Sequence, residues 1–120
     1  MYKFEEIVGS KLMKVSVSSA TYVEMDDNSE PNEVEGCCIE FDLGNFVIEN
    51  PYQVESPSGQ KIGVSDLAGD TVVEAYSTEA EIKVIFSSGS SISVSLLPEH
   101  FVGPEAASFE PKEGNIVVFN

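Results

Sequence analysis

The sequence predicts a mainly β protein: an antiparallel β-sandwich or half-barrel of about seven to nine short strands, with little helix. Apolar and polar residues alternate with a period of two along much of the chain, as expected for half-buried strands. Turn residues recur about every 8–12 positions, the spacing typical of sandwiches and barrels. Apolar residues make up 42% of the 120 positions, enough to bury a core. We therefore expect residues 1–120 to form a single β domain.

The clearest strand signal lies between residues 81 and 96. The segments EIKVIF (81–86) and SISVSL (91–96) alternate polar and apolar residues, and Ser87-Ser88-Gly89-Ser90 separates them. Glycine supplies the positive φ that a tight turn needs, so this pattern predicts a hairpin. Lys83 and the serines should face water. The predicted core residues are Ile82, Val84, Phe86, Ile92, Val94 and Leu96.

A second hairpin is predicted from residues 38–41 and 46–49, with a turn at 42–45 and an end at Asn50-Pro51. Further strands are expected at 11–17, 21–25, 71–76, 107–109 and 115–119. Residues 2–8 fit either a helical turn or an edge strand, and 65–69 fit a short capped turn closed by glycine. Two segments, 26–36 and 53–63, are predicted to be loops because they carry proline, glycine or dense acidic residues.

Charge limits the classes of partner. The chain has 21 acidic residues against 6 basic ones, for a net charge of −15, and all the basic residues are lysines. A chain this acidic and without arginine should be repelled by nucleic acid and by anionic membrane surfaces. The same charge favours a basic protein partner. The pattern makes no prediction of oligomeric state.

The compartment follows from the N-terminus and the cysteines. Residues 1–6 (MYKFEE) lack the basic and apolar regions of a signal peptide, and no apolar run approaches the length of a spanning helix. Cys37 and Cys38 are adjacent, so on a strand their side chains would point to opposite faces and a bridge between them would be strained. We therefore expect two reduced thiols in a cytoplasmic protein.

Catalytic and metal-binding patterns are weak, and we expect neither an enzyme nor a cofactor. His100 is the only histidine, and no serine lies in a G-x-S-x-G elbow. The acidic segment 26–33 lacks the glycine and the terminal glutamate of a calcium-binding EF-hand loop. One Cys-Cys pair and one histidine are too few ligands for a zinc site.

The C-terminal third carries an ordered set of motifs. An I-x-V-x-F hairpin with a glycine turn is followed by Phe101-Val102-Gly103-Pro104-Glu105-Ala106-Ala107-Ser108-Phe109 and a closing Ile116-Val117-Val118-Phe119. This series of motifs, together with residues 7–10 and 46–50, resembles the sequences of small bacterial immunity proteins of contact-dependent growth inhibition and related polymorphic-toxin loci. The tetrapeptide Gly103-Pro104-Glu105-Ala106 is the most specific part, and we expect its role to be structural. The resemblance implies a β protein that binds and neutralises a toxin domain, and no toxin-contact residue can be carried over from it.

Composition and resemblance together favour a non-enzymatic immunity protein that occludes the active site of a basic cognate toxin, with a nuclease as the expected activity. The alternative is a small β-sandwich module that binds a ligand or metal within a larger bacterial assembly. A hydrolase would require His100 to pair with a buried acid. The candidate toxin-binding residues are the densest acidic cluster, Asp26, Asp27, Glu30, Glu33 and Glu35, and a second set of Asp66, Asp70 and Glu74.

Overall fold

Ten β-strands account for most of the regular structure. The computed structural model describes residues 2–22, 32–101 and 103–120, and of residues 17–22 and 32–35 it describes the backbone alone. Three short 3₁₀ turns, Glu5–Ile7, Val64–Leu67 and Pro98–His100, are the only helical elements in these ranges. The strands are β1 (Tyr2–Lys3), β2 (Leu12–Tyr22), β3 (Asn32–Phe41), β4 (Gly44–Ile48), β5 (Tyr52–Glu55), β6 (Val72–Ser77), β7 (Glu81–Phe86), β8 (Ser91–Ser95), β9 (Ala107–Pro111) and β10 (Val117–Phe119).

The strands form two five-stranded antiparallel sheets, as expected for a β-sandwich. The first sheet has the order β1-β6-β7-β8-β5, and the second has the order β10-β9-β4-β3-β2. Each strand places alternate residues on the inner face, where the two sheets meet, because successive side chains point to opposite sides. In β7, for example, Ile82, Val84 and Phe86 are buried while Glu81, Lys83 and Ile85 are only partly covered.

The core is rich in phenylalanine. Phe4, between β1 and the first 3₁₀ turn, packs its ring against Phe46, Phe109 and Phe119 of the second sheet, with ring centroids 5.8, 5.4 and 5.1 Å away. Its backbone N–H donates to the carbonyl of Ala75 in the first sheet, at 2.9 Å. Phe4 therefore joins the two sheets.

The mainly β fold and both predicted hairpins are confirmed. Five of the six core residues expected in the 81–96 hairpin are buried, and Leu96 is partly buried against the core. Residues 2–8 contain both a short edge strand and a 3₁₀ turn. The predicted turn at 65–69 is present, and its closing Gly69 has a φ of +88°, which glycine adopts without strain.

Several predicted boundaries were wrong. The described chain has ten strands, and the loop predicted at 53–63 begins within β5, whose Val54 is buried between polar neighbours. Residues 12–17 and 21–22 lie along one long strand, β2, because its partner β3 starts at Asn32 and pairs with it to the end. Residues 32–36 are consequently strand where a loop was expected. The rest of the predicted strand at 21–25 and residues 26–31 of the predicted loop lie outside the described residues.

The turn of the second hairpin is shorter than predicted. It consists of Asp42 and Leu43 alone, and Gly44 and Asn45 already belong to β4. Glycine is required at position 44 by close packing. A Cβ there would lie 2.5 Å from the carbonyl oxygen of Glu110 and 2.7 Å from the Cα of Pro111, both backbone atoms of β9. Gly44 therefore lets β4 and β9 approach.

The β2–β3 pair extends beyond the rest of its sheet. Their register runs from Leu12 opposite Phe41 to Tyr22 opposite Asn32, whereas β4 pairs with β3 only between Cys37 and Phe41. In the described part of the chain, residues 18–22 and 32–36 therefore form a ribbon of two strands. We call this segment the β2–β3 ribbon. It supports the two ends of the chain segment that contains the acidic cluster.

Candidate functional site

The first predicted acidic set is associated with the β2–β3 ribbon. Asp26, Asp27 and Glu30 lie outside the described residues. Glu33 and Glu35 belong to β3, where their Cα partners on β2 are Thr21 and Ser19. The prediction that these two acids lie in a loop was wrong, because β2 is long enough to pair with them. Whether this set binds a partner stays a prediction.

Asp66, in the second predicted set, caps a turn. Its Oδ2 accepts a hydrogen bond from the backbone N–H of Gly63 at 2.9 Å, which satisfies a donor at the start of the 3₁₀ turn Val64–Leu67. The side chain is exposed. Asp66 thus has a local structural role and still presents its carboxylate to solvent.

Asp70 connects two turns. Its Oδ1 accepts hydrogen bonds from Ser87 Oγ at 2.5 Å, from the N–H of Thr71 at 3.0 Å and from the N–H of Ser88 at 3.3 Å. Burial by itself would raise the pKa of Asp70, but the hydrogen bonds from Ser87, Ser88 and Thr71 outweigh it and hold the pKa below its ordinary value of 3.8. Asp70 is therefore a carboxylate that fixes the β7–β8 turn against the start of β6.

Glu74 is exposed on the outer face of the first sheet because of a β-bulge. The register between β6 and β7 shifts between Val72 and Glu74, which leaves Val73 and Glu74 both exposed. A groove of about 410 Å³ at this point is lined by Glu74, Val73, Lys3 and Tyr76, among others. Asp66, Asp70 and Glu74 thus have three different surroundings: a turn cap, a turn-to-turn link and an open groove.

The outer face of the first sheet carries an arrangement that the sequence analysis missed. One register row crosses all five strands, from Lys3 through Tyr76, Lys83 and Ser93 to Gln53. A parallel row on one side of it contains Glu74, Ile85, Ser91 and Glu55, and on its other side Glu81 lies opposite Ser95. Alternation predicted that Lys83 and the serines of the 81–96 hairpin face outward, but only the strand order, which alternation does not encode, brings the whole row together.

A second groove, of about 470 Å³, lies on this outer face. Its lining includes Glu55, Glu81, Lys83, Ser95 and His100. Ser95 Oγ and His100 Nδ1 are 2.6 Å apart. The groove therefore combines hydroxyl, imidazole, ammonium and carboxylate groups at the surface of the sheet.

The contact between Ser95 and His100 differs from a nucleophile–base pair. Ser95 Oγ also accepts a hydrogen bond from the N–H of Leu97 at 3.2 Å, so the serine hydroxyl closes the turn that leads to His100. In a serine hydrolase, Nε2 contacts the serine and Nδ1 is left for an orienting acid. Here Nδ1 is used by the serine, and no acid whose side chain the structure describes is buried. The geometry fits a turn cap.

The two cysteines are neighbours on β3. Both Cys37, which is buried, and Cys38, which is partly exposed, are thiols. Burial, with a smaller contribution from Glu40, raises the pKa of Cys38 above its ordinary value.

Ala106, the last residue of the Gly103-Pro104-Glu105-Ala106 segment, is fully buried. Its N–H donates to the carbonyl of Phe119 at 2.7 Å, and its carbonyl accepts from the N–H groups of Glu49 and Asn50 at 2.9 and 3.1 Å.

In the described part of the chain, no group of three or more histidine, cysteine, aspartate or glutamate side chains is arranged to hold a metal ion. None of the helices in these ranges is long and apolar enough to cross a membrane. Comparison with protein-family models, with curated proteins and with solved structures yields no match.

Proposed function

We propose that this chain is a non-enzymatic immunity protein that acts in the bacterial cytoplasm, where it binds a basic cognate toxin domain and occludes its active site. The toxin we expect is a nuclease, because a nuclease binds a polyanion through a positively charged cleft. An acidic inhibitor can occupy such a cleft, and its field speeds the encounter.

The proposal rests on the negative net charge of the chain and on the exposure of its acidic side chains. The chain has 21 acidic residues and 6 lysines. All the acids whose side chains the structure describes are exposed or only partly buried. Within these ranges, moreover, no lysine makes an ion pair that would neutralise a carboxylate. A rigid sandwich with this surface presents a strong negative field to a basic partner.

The acids are unequally distributed along the chain. Residues 24–35 contain six acidic residues and no lysine or arginine. Two of the six, Glu33 and Glu35, have fixed register positions in the β2–β3 ribbon. We therefore infer that the ribbon side meets the toxin first. The acids of the second set lie elsewhere, and two of them already stabilise turns.

Growth protection tests the proposal directly. The chain is expressed in a bacterial host together with the C-terminal domain of the protein encoded immediately upstream of its gene, under separate inducers. We expect the domain alone to stop growth and the chain to restore it. A catalytically inactive version of the domain should copurify with the chain. Growth arrest that the folded chain does not relieve would contradict the proposal.

A further inference from the structure

The antiparallel pairing of β2 fixes which of its backbone groups face the neighbouring strand. Phe41 and Gly44 flank a two-residue turn, so they exchange hydrogen bonds with each other. The backbone N–H and C=O groups of β3 that point to β2 then belong to the residues in between, which are Glu40, Cys38 and every second residue from there towards Asn32. The N–H of Asp42, which donates to the carbonyl of Lys11 at 3.0 Å, fits this alternation.

The register transfers this alternation to β2. Lys14 opposes Glu40 and Ser16 opposes Cys38, and no shift interrupts the pairing from there to Tyr22. Lys14, Ser16, Ser18, Ala20 and Tyr22 therefore point their N–H and C=O groups towards β3. The residues between them point these groups away from the sheet, and they are Val15, Val17, Ser19 and Thr21.

In the part of the chain that the structure describes, the outer edge of β2 is covered only at its beginning. The N–H of Leu12 donates to the carbonyl of Asp70 at 2.9 Å, and the carbonyl of Leu12 accepts from the N–H of Gly69 at 2.8 Å. Beyond this point, no described strand pairs with β2 on that side. Edge strands are usually kept from pairing by shortness, proline, bulges or lysines. β2 has eleven residues and no proline, and its bulge and its lysine both lie at residues 12–14.

We propose that the outer edge of β2 between Val15 and Thr21 pairs with an extended, lysine- or arginine-bearing strand of the partner protein. This inference rests on the proposed function and names the surface that function uses. Pairing of a strand with an exposed edge gives affinity through main-chain hydrogen bonds. The charge selects a basic strand, because Glu35 and Glu33 of β3 lie opposite Ser19 and Thr21 of β2, and residues 15–35 carry six acids and no base. A second copy of this chain would bring a net charge of −15 to the same edge, which opposes self-pairing.

A peptide tests the edge without knowledge of the toxin. The probe is a nine-residue peptide of alternating threonine and lysine, added in excess, and the readout is hydrogen exchange of individual backbone amides by NMR. We expect exchange to slow severalfold at Val15, Val17, Ser19 and Thr21. The amides of Ser16 and Ser18 already bond to β3 and should change little. A peptide with the same charges, N-methylated at alternate residues so that it cannot pair, should give no such protection.

Two variants at one position separate backbone pairing from side-chain effects. Ser19→Pro removes an outward donor and leaves the bonds to β3 intact, since proline is tolerated where the N–H faces solvent. Loss of one net hydrogen bond should weaken peptide binding about three- to tenfold. Ser19→Ala keeps the donor and should bind like the parent. Retained protection of the Ser16 and Ser18 amides in both variants shows that β2 is still paired with β3.

Three outcomes would overturn the inference. These are equal protection by the N-methylated peptide, no protection by either peptide, or protection that appears without peptide and grows with protein concentration, which would indicate self-pairing. In a binding measurement with the inactive toxin domain, an affinity of Ser19→Pro equal to that of the parent would remove the edge from the interface and leave the proposed function intact. Failure of the parent chain to rescue would remove the function and leave the peptide result standing.

Discussion

Truncation of Phe4 to alanine should strongly destabilise the protein. The side chain is fully buried, and its ring contacts three other rings that belong to the opposite sheet. Phenylalanine-to-alanine changes in cores cost about 3–5 kcal/mol, and edge-to-face ring pairs add to the loss. We expect about 4–5 kcal/mol here. A domain of 120 residues unfolds with about 0.25 kcal/mol/K of entropy, so the melting temperature should fall by about 15–20 °C.

Urea unfolding followed by circular dichroism measures this cost, and Phe101→Ala is a matched control. Phe101 is only partly buried at the edge of the core, so the same chemical change should cost about 1–2 kcal/mol there. A cost below about 1 kcal/mol for Phe4→Ala, or one no larger than that for Phe101→Ala, would refute the conclusion that Phe4 joins the two sheets.

Four further predictions concern packing, charge and thiols. Phe86→Ala should cost about 3–5 kcal/mol in the same unfolding assay, because Phe86 is buried and its ring stacks on Phe41, with centroids 6.3 Å apart. Gly44→Ala should cost about 1–3 kcal/mol, since the added carbon meets backbone atoms of β9, and an unchanged midpoint would contradict that close approach. Asp70→Asn should lower the free energy of unfolding by about 1 kcal/mol at pH 7. Because the folded-state pKa of Asp70 is lowered, the stabilisation by its carboxylate is present above about pH 3.8 and should fade as the pH falls below that value. A stability difference between parent and variant that does not change with pH would contradict these hydrogen bonds to the carboxylate. Titration of the unfolded, unreduced protein should count two thiols, and a count of zero would contradict the reduced state of Cys37 and Cys38.

The fold could be predicted where one face of a strand is buried and the other is at least partly exposed to solvent. The residues of β7 and β8 show this, because their burial alternates as the sequence does, with Ile85 as the exception. The pattern failed at β5, because a strand of four residues next to a turn that contains proline shows too few alternations to recognise. The strand at 71–76 was predicted, but its bulge, which puts Val73 and Glu74 side by side at the surface, was not, because a bulge breaks the alternation itself.

The candidate site was less predictable than the fold. Asp66 and Asp70 were chosen for their charge, yet both carboxylates accept hydrogen bonds that hold turns. Sequence gives the charge of a side chain but not its partners, which here come from residues up to 18 positions away. The outer-face row from Lys3 to Gln53 depends on the order of five strands, and the free edge of β2 depends on which strand ends its sheet.

The central claim is that the acidic ribbon side attracts a basic partner, and association kinetics tests it most directly. One variant of the acidic cluster replaces each aspartate by asparagine and each glutamate by glutamine at Asp26, Asp27, Glu30, Glu33 and Glu35. The parent chain and this variant are each mixed with the purified cognate toxin domain at low and at physiological salt. The control variant has the same change in charge at five exposed acids outside the cluster, Glu5, Glu79, Glu99, Glu110 and Glu113.

We expect the variant of the acidic cluster to associate more slowly than the parent at low salt, and more slowly than the control variant, with a smaller change in dissociation. Salt should slow the parent towards this variant, because the screening length falls to about 8 Å at physiological ionic strength. A parent association rate that is insensitive both to salt and to the five substitutions in the acidic cluster would contradict the account.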